Sequence, residues 1–157
     1  MRAGIGFDIH PLVAGRRLVL GGVTLKFERG LDGHSDADVL VHAIIDALLG
    51  ASALGDIGKH FPSTDPEYKG ISSIALLERI RIILNDNGVQ IENIDTTVIC
   101  EQPRLTTHTK QMCRNIAKAL EITEGQVSVK ASTTNGLGLI AKGEGIAALA
   151  VALVKKD

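Results

Sequence analysis

The strongest constraint on the fold is an alternating pattern near the start of the chain. Residues 5–10 read Ile-Gly-Phe-Asp-Ile-His, so apolar side chains alternate with small or polar ones. A period of two is typical of a β-strand, and the pattern predicts a strand over residues 2–9. Side chains two residues apart on a strand point to the same face, so Asp8 and His10 would stand side by side. They are either two ligands of a metal site or two polar residues on the solvent-exposed face of the strand.

The remaining hydrophobic patterns alternate between strands and helices. Gly21-Gly22 predicts a hairpin over residues 17–27, because paired glycines supply the positive φ of a tight turn, and residues 30–33 are predicted to be loop. Helices are predicted over residues 36–49 with Ser35 as N-cap, from Ser72 or Ser73 to about 88, and over 109–120. Further strands are predicted over residues 94–100, 127–131 and 145–154.

This order of elements predicts an α+β fold with a single mixed β-sheet and helices mainly on one face. Apolar side chains on the other face then need a partner, which a symmetric oligomer with sheets packed together would supply. The almost continuously apolar segment 145–154 predicts a strand buried on both faces. With 157 residues and no linker or repeat, we expect a single domain over residues 1–157.

Charge and cysteine usage narrow the class of protein. A net charge of −1 gives no electrostatic case for binding nucleic acid or an anionic membrane. The longest apolar run, Ile146 to Val154, is shorter than the roughly 20 residues of a membrane helix. Cys100 and Cys113 are expected to be free thiols in a reducing compartment, and the apolar alternation close to Met1 leads us to expect no signal peptide. We therefore expect a soluble cytoplasmic protein without nucleic-acid or membrane partners.

The first predicted helix offers a third metal ligand. His42 lies one turn from Asp38 and one turn from Asp46, which are expected to accept hydrogen bonds from its ring and fix its tautomer. With Asp8 and His10 it would complete an oxygen–nitrogen–nitrogen ligand set, which suits Zn²⁺ and leaves one position open. The site requires that strand and helix meet in the fold.

Three further segments are candidates for binding an anion. His34 precedes a predicted helix whose first amides favour phosphate, although it could also be an ordinary loop histidine. Ser132, Thr133 and Thr134 follow a strand and offer hydroxyls and amides, or form only a polar turn. Residues 55–66 form a long segment rich in Gly, Pro, Ser, Thr and Asp, which is typical of either a functional loop or a plain solvent loop.

Together these segments resemble one known family. In order they are Gly6–His10, His34–Asp38 with His42, Gly-Asp-Ile-Gly-Lys-His-Phe-Pro at 55–62, Ser-Thr-Thr at 132–134 and Gly-Glu-Gly-Ile-Ala at 143–147. The chain resembles the 2-C-methyl-D-erythritol 2,4-cyclodiphosphate synthases of the non-mevalonate isoprenoid pathway, from its first residues to its last strand. The resemblance implies a phosphorus–oxygen lyase that cyclises 4-diphosphocytidyl-2-C-methyl-D-erythritol 2-phosphate and releases CMP, in a homotrimer with active sites between subunits.

The resemblance also implies roles for individual residues. Asp8, His10 and His42 would bind one Zn²⁺ per subunit, a second ion (Mg²⁺ or Mn²⁺) would bind with substrate, and His34 and Thr133 would stabilise the transition state. The substrate contacts that the resemblance implies also include Asp8, His10, His34, Ser35, Asp56, Ile57, Gly58, Phe61, Pro62, Ser63, Thr64, Asp65, Ser132, Thr133, Thr134, Asn135, Leu139 and Lys142. The segment that an adjacent subunit would contribute around cytosine and the phosphates matches Cys100, Glu101, Gln102, Pro103, Arg104, Leu105 and Thr106.

Three positions depart from the family pattern, and two other functions stay open. Asn135 stands where relatives carry Glu, which weakens the expected anchor for the second cation, while Leu139 and Lys142 replace Phe and Arg of some relatives. The central cavity of the trimer is a possible site for an isoprenoid diphosphate. The alternatives are a trimer that only binds such a ligand, and a metal-dependent hydrolase with Asp56 as its base.

Overall fold

A five-stranded mixed sheet is the framework of the computed structural model, which describes residues 1–156. The strands are β1 (Arg2–Ala14), β2 (Leu18–Leu20), β3 (Val23–Leu25), β4 (Arg29–Leu31), β5 (Val89–Ile99), β6 (Val127–Ser132) and β7 (Gly145–Lys156). The sheet has the order β4-β1-β7-β5-β6, in which β5 and β6 run parallel and the other neighbours antiparallel. Strands β2 and β3 form the predicted hairpin, with Gly21 and Gly22 at positive φ in its turn.

The helices cover one face of this sheet. They are α1 (Val39–Ser52), α2 (Ile57–His60), α3 (Ser73–Asp86), α4 (Thr109–Leu120) and α5 (Gly138–Ala141). Helix α1 packs on β1 and β7, α4 packs near β6, and α3 lies between the two helices. The α+β class with a mixed sheet is as predicted. Within residues 1–156, no helix combines the length and the apolar character needed to cross a membrane.

Glycines on the inner face of β1 allow α1 to approach unusually closely. A Cβ atom at Gly6 would lie 1.8 Å from the carbonyl oxygen of Ala43, and one at Gly4 would lie 2.0 Å from that of Ala47. Any side chain at these two positions would therefore collide with the helix backbone. This contact places the inward-facing side chains of β1 directly beside α1.

The opposite face of the sheet is apolar and open in the single chain. Ile5, Phe7 and Ile9 of β1 are 72%, 54% and 49% exposed, and Leu149 and Val151 of β7 are 38% and 47% exposed. The prediction that β7 is buried on both faces is therefore wrong for the single chain. The apolar residues of β7 belong to two faces. One face packs on the helices, and no element of residues 1–156 covers the other face.

Several predicted boundaries shift for local reasons. Residues 30–33 were expected to be loop, yet Arg29–Leu31 forms β4 by pairing with the extended end of β1. Helix α1 begins at Val39, three residues later than predicted, because Ala37 has a positive φ of 57° that interrupts a helix. Asp38, and not Ser35, is the N-cap of this helix. The segment 55–66 contains α2 and leads into a 3₁₀ turn at Pro66–Tyr68.

Candidate metal centre

Strand β1 and helix α1 bring together Asp8, His10 and His42. One carboxylate oxygen of Asp8 lies 2.9 Å from His10 Nε2 and 3.0 Å from His42 Nδ1. The three ligand atoms lie within 4.8 Å of one another. In a tetrahedral site with bonds of about 2.0–2.1 Å, the ligand atoms are about 3.3 Å from one another. Small changes in the distances between the Asp8, His10 and His42 ligand atoms would therefore accommodate a cation.

The outer nitrogens of both imidazoles already have hydrogen-bond acceptors. His10 Nδ1 donates to the carbonyl oxygen of Asp32 over 2.6 Å. His42 Nε2 lies 2.9 Å from the hydroxyl oxygen of Ser73 and 3.1 Å from that of Ser35. With the outer nitrogens engaged as donors, the inner nitrogens, which face Asp8, are the ones that can lose a proton and bind a metal ion. These residues therefore fit a divalent cation.

The electrostatics of the cluster also favour a cation. Burial acts to raise the pKa of Asp8, but the hydrogen bonds from His10 and His42 outweigh it and hold this pKa well below its usual range. The hydrogen bond to Asp8 raises the pKa of His10 above its ordinary value. In the metal-free chain, protons therefore supply the positive charge that the carboxylate attracts, and a metal ion would replace them.

The predicted roles of Asp38 and Asp46 beside His42 are wrong. Asp38 is fully buried, and its carboxylate accepts hydrogen bonds from the amides of Gly21, Gly22 and Val41. Burial raises the pKa of Asp38 to about 6. Asp46 accepts from the amide of Ile57 over 2.8 Å and thereby holds the start of α2. Both carboxylates join backbone segments around the site instead of orienting the imidazole.

A pocket of about 290 Å³ opens in front of the cluster. Its lining includes the predicted site residues Asp8, His10, His34, Ser35, His42, Ile57, Gly58, Phe61 and Ser63, together with Tyr68 and Leu76. The Phe61 ring packs edge-on against Tyr68, with centroids 5.3 Å apart, and Arg79 lies 5.6 Å from the Tyr68 centroid. The loop that carries Phe61 is thus braced by an aromatic contact.

Three predicted substrate contacts of the same loop do not line this pocket. A fourth, Pro62, is absent from the lining as well; the other three are Asp56, Thr64 and Asp65. Asp56 accepts a hydrogen bond from the amide of Lys59 and caps α2. Asp65 accepts one from the amide of Glu67 and caps the following 3₁₀ turn. With its carboxylate acting as a helix cap, Asp56 gains no support as the base of a hydrolase.

The second group of predicted residues surrounds a separate pocket, also of about 290 Å³. It is lined by Cys100, Glu101, Pro103, Arg104, Leu105, Thr106, Ala131, Ser132 and Thr133. Glu101 joins the two segments of this pocket, because its carboxylate accepts from the amide of Thr134 over 2.8 Å and from its hydroxyl over 2.9 Å. Burial raises the pKa of the Cys100 thiol to about 11, so this cysteine stays protonated.

The two pockets lie at the same end of the sheet but on strands three spacings apart. Register places Ile9 opposite Ala147, Ala147 opposite Ile99 and Ile99 opposite Ser132. At about 4.8 Å per spacing, the metal cluster and the Ser132 end of β6 are about 14 Å apart. One chain therefore does not bring Thr133 together with His34.

The remaining predicted residues lie around the turn that follows β6. Asn135 has a φ of 52° and precedes Gly136 at 82°, so the turn needs the left-handed conformation, which Asn adopts more readily than Glu. Leu139, in α5, is 62% exposed. Gln102 and Lys142 line a cavity of about 270 Å³ between this turn and β4.

Sequence reasoning missed the groups that orient the imidazoles. The Asp32 carbonyl belongs to the backbone, so no side-chain type marks it. Ser73 was noted only as a possible helix cap, although it faces His42 from a helix 31 residues along the chain. Asp36 was assigned to the first helical turn, whereas its carboxylate binds Ser73. Only the fold brings these groups to the site.

Comparison with known proteins gives one consistent family. The model of the YgbB family matches residues 1–155. The 2-C-methyl-D-erythritol 2,4-cyclodiphosphate synthase of Clostridium perfringens is 56% identical over 99% of this chain and 100% of its own length. The protein of the same name from Pelotomaculum thermopropionicum is 58% identical over 99% of this chain and 96% of its own length.

Solved structures agree with the sequence comparison. The bifunctional IspDF of Campylobacter jejuni superposes with a TM-score of 0.95 at 40% identity, and the match covers 99% of this chain and 42% of that longer chain. The complex of Plasmodium falciparum IspF with CDP has a TM-score of 0.86 at 33% identity, covering 99% of this chain and 97% of the other.

Proposed function

Because the chain belongs to the YgbB family, whose similar members are named 2-C-methyl-D-erythritol 2,4-cyclodiphosphate synthase, we propose that it catalyses this cyclisation. The substrate is 4-diphosphocytidyl-2-C-methyl-D-erythritol 2-phosphate, and the reaction serves isoprenoid precursor synthesis. An oxygen of the 2-phosphate attacks the β-phosphorus, and the bond from this phosphorus to the bridging oxygen of the diphosphate breaks. CMP leaves with that oxygen and its electron pair, which makes the enzyme a phosphorus–oxygen lyase.

The observation that carries the proposal is the convergence of Asp8, His10 and His42 at the floor of a pocket. The cation that suits this oxygen–nitrogen–nitrogen set is Zn²⁺, one per subunit. When bound, it supplies a Lewis acid that polarises the β-phosphate. The identity of the complexed ligand in the Plasmodium falciparum IspF structure, CDP, is consistent with a cytidine diphosphate substrate.

The other residues of the pocket fit a reaction without a general base. A phosphate monoester is already ionised at neutral pH, so the attacking oxygen needs no proton acceptor, and positioning and charge neutralisation dominate the barrier. We assign His34 and Thr133 to stabilising the charge that develops on the transferred phosphorus. Ser35, Ile57, Gly58, Phe61 and Ser63 line the pocket where the methylerythritol portion would be held.

A homotrimer would complete this site. His34 and Thr133 line different pockets, and the β1 end of the metal cluster lies about 14 Å across the sheet from the Ser132 end of β6, so each pocket of one chain is a half-site. The open face formed by Ile5, Phe7, Ile9, Leu149 and Val151 is available for packing against sheets of other copies. In this arrangement the segment 100–106 of one subunit would hold cytosine beside the metal cluster of its neighbour.

Three further parts of the proposal concern ions, ligands and domain organisation. A second divalent ion, Mg²⁺ or Mn²⁺, would bind with the diphosphate, and Asn135 would contact it only weakly. The central cavity of the trimer is a candidate site for an isoprenoid diphosphate. We also propose that residues 1–157 form one domain, which agrees with a family match over residues 1–155 and a continuous core.

The proposal is tested by turnover with the cytidyl substrate. Purified protein with Zn²⁺ and Mg²⁺ should release CMP and the cyclic diphosphate in equal amounts, followed by ³¹P NMR, and His42→Ala should abolish both products. Open-chain hydrolysis products would instead indicate a hydrolase. A trimer that binds zinc and releases no CMP would overturn the proposal, and native mass spectrometry would then show whether it retains an isoprenoid diphosphate.

A further inference from the structure

The nitrogen of His42 that faces away from the metal cluster contacts buried hydroxyl groups. His42 Nε2 lies 2.9 Å from Ser73 Oγ and 3.1 Å from Ser35 Oγ. Ser73 has no exposed surface, and Ser35 is 8% exposed. Buried polar atoms without access to water depend on their protein partners, so the direction of each hydrogen bond matters.

The direction of these hydrogen bonds is fixed by Asp36. The Ser73 hydroxyl donates its only hydrogen to the Asp36 carboxylate, which can only accept. The same carboxylate accepts from the amides of Ser73 and Asp38 over 3.0 Å and 3.1 Å, so it is held in place. Ser73 Oγ is therefore left as an acceptor, and His42 Nε2 must be the donor. A proton therefore lies on Nε2, so Nδ1, which lies 3.0 Å from the Asp8 carboxylate, is the only ring nitrogen that can give up its proton to a metal ion.

We propose that Asp36 and Ser73 are positioning residues that fix His42 as an Nδ1 metal ligand. The inference deepens the proposed function, because it rests on the metal site assigned there. Neither residue reaches the metal cluster itself, and both act through the ring of His42. Without Ser73, the imidazole could place its proton on Nδ1 and donate to Asp8, and this tautomer cannot bind a cation at the cluster.

Two measurements that do not depend on turnover test this inference. In Ser73→Ala, zinc affinity measured by chelator competition should fall about 10–100-fold, the usual effect of removing a group that orients a metal ligand. ¹⁵N NMR of labelled histidine should find Nε2 of His42 protonated in the wild type, with and without zinc, and only partly protonated in the metal-free variant. Asp36→Asn should change both readouts in the same direction, since its amide oxygen is a weaker acceptor.

Ser72→Ala is a matched control from the same helix end. Ser72 is exposed, and its side chain makes no capping hydrogen bond, so its loss should change zinc affinity by less than about twofold. If Ser73→Ala binds zinc as tightly as Ser72→Ala, or if Nε2 of wild-type His42 carries no proton, the inference is wrong. A wild-type protein with the expected tautomer and zinc affinity but no CMP release would contradict the proposed function and leave this inference intact.

Discussion

Replacing Gly6 with alanine should separate β1 from α1 and weaken the metal site at the same time. The new Cβ would lie 1.8 Å from the Ala43 carbonyl oxygen, whereas ordinary C···O contacts are about 3.3–3.6 Å. The two backbones would have to move apart by about 1.5 Å. Overpacking of this kind costs about 1–3 kcal/mol, and this backbone collision belongs at the upper end, near 3 kcal/mol. At about 2–4 °C per kcal/mol for a chain of this size, the melting temperature should fall by about 6–12 °C.

The same displacement reaches the metal ligands, because Gly6 is two residues from Asp8 and Ala43 follows His42 directly. Zinc affinity of Gly6→Ala should therefore fall at least about tenfold. Gly50→Ala is the control, since it adds a methyl group to the same helix, and the nearest atom outside the local helix backbone is the Ile5 carbonyl oxygen at 4.0 Å. It should raise stability by about 0.5–1 kcal/mol through helix propensity. Thermal melts in chelator and zinc titrations at one protein concentration measure both effects. A Gly6→Ala protein that matches the Gly50→Ala protein in both assays would refute the reasoning.

Three other predictions concern charge, pH and the second cation. Asp38→Asn should lower the free energy of unfolding, measured by urea titration, by about 1–3 kcal/mol. The Asp38 carboxylate accepts hydrogen bonds from three backbone amides, and the single side-chain oxygen of asparagine cannot accept all three. Since burial raises the pKa of Asp38 from 3.8 to about 6, its contribution to stability should fall as pH rises through this interval, and the variant should lose that dependence. The hydrogen bond to Asp8 raises the pKa of His10 above 6.5, its value in the unfolded chain. The pairing of His10 with Asp8 should therefore stabilise the metal-free chain below pH 6.5, and this stabilisation should be lost as the pH rises through the raised pKa. Over the same pH range, zinc affinity measured by competition should increase, because the proton that competes with the metal is lost. Asn135→Glu should saturate at lower Mg²⁺ in turnover assays and cost about 1 kcal/mol in stability, because Glu tolerates the left-handed turn less well; identical Mg²⁺ curves would discard this prediction.

The parts of the fold that repeat a pattern were predictable from sequence. The apolar stripes of α3 and α4 face the core as their periods predicted, and the period-two alternation of β1 survives with its glycines against α1 and its apolar side chains on the open face. The three-residue strand β4 is too short to show a period, and it exists only because β1 extends past Pro11 to pair with it. The open face of β7 could not be read from its own segment, because its exposed leucine and valine look like buried ones; only the placement of the helices mainly on one face predicted it.

The candidate site divides in the same way. Asp8, His10 and His42 could be placed together because strand and helix spacing fix which side chains share a face. Their supporting groups depend on contacts between distant segments, as when Ser73 meets Asp36 37 residues away. The prediction that Asp38 orients the imidazole failed because Ala37 has a positive φ, so the helix begins only at Val39 and Asp38 becomes its N-cap. Nothing in the sequence marks an alanine as having a positive φ.

The position of β7 has a consequence for synthesis of the chain. Among the strands of residues 1–156, β7 is synthesised after all the others, yet it lies between β1 and β5 in the middle of the sheet. Until it leaves the ribosome, the nascent polypeptide carries two separate half-sheets, each with an unpaired edge that can associate with other unfolded chains. Such non-local pairing slows folding. The nascent chain is therefore most exposed to aggregation before residues 145–156 insert into the sheet, and chaperones would protect it most during this interval.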